Sequence, residues 1–181
     1  MNLILKIMTI AMFTSLLASD VFAQNLYVNG VTFTLGESEA SARADIQSSE
    51  MTISKEGFLR VKRGELYELC GSVVFKGGKV VAVQRDWFLN QTPDDKNVVA
   101  NAFHDAMVSV LDGKDSAMCS LNVKEQGVGP DFGKLRSTTI RCYTPKWNHI
   151  LILSGADCSG GCSEKVSASL TEIISEKDML F

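Results

Sequence analysis

From Met51 to Trp87 the pattern changes to short alternations of apolar and polar side chains and β-branched runs, which fits strands. Phe58, Arg60 and Lys62 interleave with Leu59 and Val61, and Leu66, Glu68 and Cys70 lead into Ser72-Val73-Val74-Phe75. A strand sends successive side chains to opposite faces, so this run fits one face in a core and the other in water; a helix would place its apolar residues three and four apart. Lys76-Gly77-Gly78-Lys79 breaks the run with two residues that accept positive φ, and Val80 to Trp87 resumes it. The segment is predicted to be an antiparallel β-meander.

Leu26 to Leu35 holds Asn29-Gly30 between short β-prone stretches, which predicts a tight hairpin. Gly36-Glu37-Ser38-Glu39 then opens a stretch with Ala40, Ala42, Ala44 and Ile46 among polar residues, compatible with a short helix that starts near a serine and two acids. The clearest helix follows Asn90-Gln91: Thr92 can cap it, Pro93 suits its first position, Asp94 and Asp95 favour its positive end, and Gly113 can close it. Val98 or Val99, Ala102, Phe103, Ala106, Val110 and Leu111 recur at helical spacing as its buried stripe. Further β-prone runs follow at 117–124, 135–143, 147–154 and 165–174, with Gln126 to Gly133 as a hairpin tip. The expected fold class is therefore α+β, with antiparallel meanders packed against two helices. Two helix-plus-meander lobes are expected, over 24–90 and 91–181.

At the N-terminus Lys6 precedes an apolar stretch from Ile7 to Leu17, and Val21-Phe22-Ala23 leads into Gln24. That order predicts a secretory signal peptide over residues 1–23, with an apolar core too short to span a bilayer comfortably. No later segment has the length and apolarity of a transmembrane helix, and the expected location is the periplasm or the exterior. A net charge of −3 without a Lys/Arg cluster lacks the basic footprint that nucleic acid or an anionic membrane needs. All five cysteines follow the expected cut, where an oxidising compartment permits disulfides. If Glu125 pairs with Arg136 across the loop, Cys119 falls opposite Cys142; Cys158 pairs with Cys162, and Cys70 is left as a thiol.

The constellations that could carry chemistry have structural readings. Asp157-Cys158-Ser159-Gly160-Gly161 invites comparison with the serine loop of the trypsin-like proteases, but no histidine sits in a suitable cysteine-flanked segment and the chain is too short for two barrels. His104 and His149 lack metal-ligand spacing and read as satisfied surface or half-buried histidines. Cys158 and Cys162 are separated by three residues, where a thioredoxin-like redox pair has two at a helix start. Cys70 precedes a core-like strand and reads as a buried, inert thiol. Asp94-Asp95 and Glu37 with Glu39 fall at predicted helix starts, where the dipole explains them. No cofactor and no catalytic or metal residue is expected.

Val31-Thr32-Phe33-Thr34-Leu35-Gly36-Glu37-Ser38-Glu39-Ala40, with Gly71-Ser72-Val73-Val74-Phe75-Lys76-Gly77-Gly78-Lys79-Val80 at the end of the meander and Arg85-Asp86-Trp87 closing it, resembles a bacterial envelope module. It is similar to the helix-plus-meander unit of the small outer-membrane assembly lipoproteins and of the β-lactamase inhibitory protein. The likeness covers residues 31–87; the lipid-attachment cysteine and a second copy of the motif are lacking. What the resemblance implies is a protein-binding surface, with no catalytic residues to carry over. The expectation is thus a non-enzymatic protein that binds another envelope or extracellular protein through an exposed sheet face. Trp87, Phe88 and Trp147 are its candidate aromatic anchors. The rival readings are a small-ligand-binding envelope protein with an apolar cavity, and a small hydrolase in which a histidine meets Cys70 or Ser159.

Overall fold

The computed structural model describes residues 24–88, 96–111, 118–127, 134–157 and 167–179. The expected signal peptide, the helix start at Thr92 to Asp95, Gly113, and the loop bearing Cys158, Ser159 and Cys162 lie outside the described residues. In chain order the elements are β1 (Asn25–Val28), β2 (Val31–Thr34), α1 (Glu39–Gln47), β3 (Met51–Ile53), β4 (Phe58–Arg63), β5 (Leu66–Lys76), β6 (Lys79–Asp86), α2 (Lys96–Leu111), β7 (Met118–Gly127), β8 (Lys134–Tyr143), β9 (Trp147–Asp157) and β10 (Ser167–Glu176). The fold class is α+β, as the alternating runs and the two helical stretches predict.

Asn29 and Gly30 turn between β1 and β2 with φ of 46° and 98°, the positive pair that a two-residue hairpin requires. Leu26, Val28, Val31 and Phe33 point from this ribbon into the core. Ser38 caps α1 by accepting from the Ser41 amide at 3.1 Å, and Ala42 and Ile46 form its buried side. Of the two acids near its start, Glu39 lies in the first turn and pairs with Arg43 at 2.7 Å. Glu37 instead precedes the cap and accepts from the Thr34 amide at 2.9 Å, so it closes the preceding turn.

The other eight strands form one antiparallel sheet in the order β3-β4-β5-β6-β10-β9-β8-β7. The last strand, β10, lies between β6 and β9, with Glu172 opposite Arg85 on one side and Leu151 on the other. Both core clusters lie on one face of this sheet. Leu59, Val73, Val83 and Ile174 pack there with α1 and the β1–β2 ribbon, and Cys142, Leu151 and Leu170 pack with Ala106 and Val110 of α2. Burying a side chain of the size of Ile46 or Leu151 contributes about 1.5–3 kcal/mol, so these two clusters supply the main apolar drive to fold.

The expected stripe of α2 is narrower than its spacing predicts. Ala106 and Val110 are buried and Ala102 and Phe103 pack beside them, while Val98 and Leu111 are about half exposed. Leu111 follows Val110 by one residue, a turn of about 100° that carries it past the line of contact with β9 and β10. On β7 and β8 the expected register is the one observed: Glu125 faces Arg136 and Cys119 faces Cys142. The two cysteines form a disulfide with their Cα atoms 4.0 Å apart.

Candidate functional site

The chemistry on the covered face of the sheet centres on Glu172. Its position in β10 alternates with Thr171 and Ile173, which puts it on the same side as Leu170 and Ile174, and it is 0% exposed. A carboxylate at that depth needs donors on both oxygens. Oε1 accepts from Ser109 Oγ of α2 at 3.0 Å and lies 2.7 Å from His149 Nε2 of β9; Oε2 accepts from Trp87 Nε1 at 3.1 Å. Gln24 Nε2 lies 3.1 Å from His149 Nδ1, so both ring nitrogens are engaged. Burial pushes the Glu172 carboxyl up, but the His149 contact, the Ser109 hydroxyl and the Arg85 charge reverse that, and the net displacement is below the ordinary carboxylate range.

The carboxylate stands between a serine and a histidine. Hydroxyl activation needs the order serine, histidine, acid, with the imidazole taking the proton, so Ser109 here donates to an acceptor that holds it in place. What the cluster does is fix Trp87. The indole N–H is tied to Glu172, its backbone amide bonds the Leu170 carbonyl at 3.0 Å, and the Arg85 guanidinium lies over its ring, 3.7 Å from the centroid. Burial lowers the Arg85 pKa and the Glu172 carboxylate raises it; the guanidinium stays charged at neutral pH.

Beside Arg85 and Trp87 a cleft of about 620 Å³ opens between the β1–β2 turn, Ser49 and Glu50 ahead of β3, and the end of β4. Gly71 faces Arg85 across β5 and β6; its φ is 155°, and a Cβ there would stand 2.1 Å from the Gln84 carbonyl oxygen. Only glycine lets the two strands approach so closely at this point. On the opposite face of the sheet, β7–β10 give no side chain to either core cluster. Ile150, Ile152 and Ile173 there line a groove of about 370 Å³ with Lys124 and Arg141 beside them.

The residues singled out from the sequence fall in several places. Trp87 and Phe88 pack against the α2 cluster, and Trp147 opens β9 half-buried. His104 is exposed and lies 3.4 Å from Asp105. His149 is 1% exposed, deeper than the surface or half-buried place its strand end implies, because Glu172 of β10 and Gln24 ahead of β1 close over it. Cys70 is buried with its Sγ 3.7 Å from Met51 Sδ, and burial together with the charge of Asp86 pushes its pKa up to about 11. Glu172, Ser109, Gln24 and Arg85 are not among the sequence candidates. The signal that could have found Glu172 is its parity: an acid at an inward position between Leu170 and Ile174.

Among the described residues no group of three His, Cys, Asp or Glu side chains is placed to hold a metal ion, and no helix is long and apolar enough to cross a membrane. No family model, curated protein or solved structure matches the chain.

Proposed function

We propose that this chain is an exported, non-enzymatic protein that binds another envelope or extracellular protein. The observation that carries the reading is the asymmetry of the sheet: helices and ribbon pack one face, while β7–β10 turn to the other a groove with Ile152 over the buried Ile150 and Ile173, bordered by Ser120, Asn122, Thr139, Lys124 and Arg141. A small apolar floor within a polar and cationic border suits a protein interface, and it fits a partner that brings an apolar side chain bordered by acids. The Cys119–Cys142 disulfide supports an oxidising compartment, in keeping with the export signal read at the N-terminus. The resemblance of residues 31–87 to the envelope module points the same way.

The purified protein, immobilised and exposed to a periplasmic extract, is expected to retain a partner that Ile152→Glu, checked for native circular dichroism, no longer retains. Loss with Ile152→Glu and retention by Trp87→Phe places the contact on the groove face. A partner held equally by wild type and Ile152→Glu, or none at micromolar concentration, removes this reading.

A further inference from the structure

The cleft beside Arg85 is separate from the sheet-face groove, and charges of both signs line it. Lys62, Arg63 and Arg85 line it against Glu50 and Asp86. Asp86 already accepts from Gln84 Nε2 at 3.1 Å and Thr171 Oγ1 at 3.3 Å, and Arg63 is drawn to Glu68 at 3.5 Å. Among the described residues no carboxylate oxygen lies within ion-pairing reach of Arg85. The nearby buried carboxylate, Glu172, has both oxygens taken by Trp87, Ser109 and His149. The half-buried guanidinium has therefore lost part of its hydration with no carboxylate oxygen in contact, the Glu172 charge acting on it only at longer range, and Arg85 borders a cavity.

We propose that this cleft binds a carboxylate carried on an apolar body, with the Arg85 guanidinium as the receptor. Three features argue for it. The planar fork of an arginine matches the two coplanar oxygens of a carboxylate. The fork is positioned in advance, because it rests on an indole whose N–H is fixed by a buried acid, so little ordering is left for the ligand to drive. Val61 and Trp87 border the cleft with apolar surface, and a volume of about 620 Å³ lies in the range of small-ligand sites. Asn29, Ser49, Lys62 and Arg63 also line the cleft, so phosphate is the competitor that the titration has to exclude. This inference goes beyond the protein-binding reading and stands or falls without it.

The test is a fluorescence titration in a Trp147→Phe background, where Trp87 is the remaining tryptophan and reports from beneath Arg85. The probes are benzoate with benzamide, N-acetyl-Gly-Phe as free acid and as amide, and inorganic phosphate. Each acid is expected to bind about tenfold or more tighter than its amide, the size of a lost charge-assisted hydrogen bond. Arg85→Gln is expected to erase that preference and Arg85→Lys to keep only part of it. Tighter binding of N-acetyl-Gly-Phe than of benzoate assigns the carboxylate to a polypeptide C-terminus, and the reverse assigns it to a free organic acid. Equal affinity for acid and amide, an unchanged preference in Arg85→Gln, or phosphate competing as well as benzoate overturns the proposal. The acid–amide comparison needs no Arg85 variant, so it decides the matter even if Arg85→Gln does not fold.

Discussion

Glu172 and His149 face each other inside the covered side of the sheet, Oε1 2.7 Å from Nε2, with side chains 0% and 1% exposed. They belong to adjacent strands, β10 and β9, and each reaches a further element: Glu172 bonds Trp87 and Ser109, and His149 lies against Gln24. The pair thus joins sheet, helix and N-terminal ribbon at the border between the two apolar clusters. A buried ion or hydrogen-bond pair adds little net stability against an apolar substitute, but removing one partner strands the other, which is why this cluster acts on stability mainly when broken.

The acid limb of stability is expected to depend on Glu172. Its folded pKa lies below the ordinary carboxylate value, so in the acid range the unfolded chain binds a proton that the folded chain does not. Stability from this group is complete above about pH 4.5 and is lost as pH falls through the lower folded value. Glu172→Gln is expected to cost about 3–5 kcal/mol at neutral pH and to flatten that acid limb. Urea unfolding at a series of pH values measures both; an equal acid slope in wild type and variant contradicts the assignment.

Cys70 is expected to be silent in the native protein. With burial and the Asp86 charge pushing its pKa up to about 11, Cys70 holds far less thiolate at pH 8 than an ordinary thiol, and the sulfur is buried besides. Iodoacetamide should leave the Cys70 peptide unlabelled in native buffer and label it after guanidinium unfolding, as read by mass spectrometry. Labelling of native protein at the rate of a free peptide shows that the sulfur is accessible.

The strands and turns were legible because their signals are local. Asn29-Gly30 and Gly77-Gly78 both carry the positive φ that their hairpins require, and the shared register of Glu125 with Arg136 and Cys119 with Cys142 follows from counting along two strands. The placement of β10 was not, since nothing in Ser167 to Glu176 says that it pairs with β6 as well as with β9. That pairing is what sets Glu172 opposite Arg85 and brings Trp87 within reach of it. The polar cluster, and the cleft it supports, therefore arise from contacts between residues as far apart as Gln24 and His149, whose partners no window of sequence contains. Leu111 shows the same limit on a helix: periodicity gives the stripe, but the line along which α2 meets the sheet decides its width.

The Cys119–Cys142 disulfide is expected to secure the strand that depends on it most. β7 is an edge strand that pairs with β8 alone, and the side chains from Met118 to Glu125 are exposed, so little burial holds it. A link across a sequence separation of 23 restricts the unfolded chain enough to stabilise the fold by about 3 kcal/mol in the chain-entropy account. The double variant Cys119→Ala, Cys142→Ala should lose about that much in urea unfolding. Because β7 has few other attachments, its amides should lose protection from hydrogen exchange before those of β9 and β10. Lys124 sits on β7 and borders the isoleucine groove, so the same variant should also weaken partner capture without altering carboxylate binding at Arg85. If β9 and β10 lose protection first, the bond secures the centre of the sheet rather than its edge.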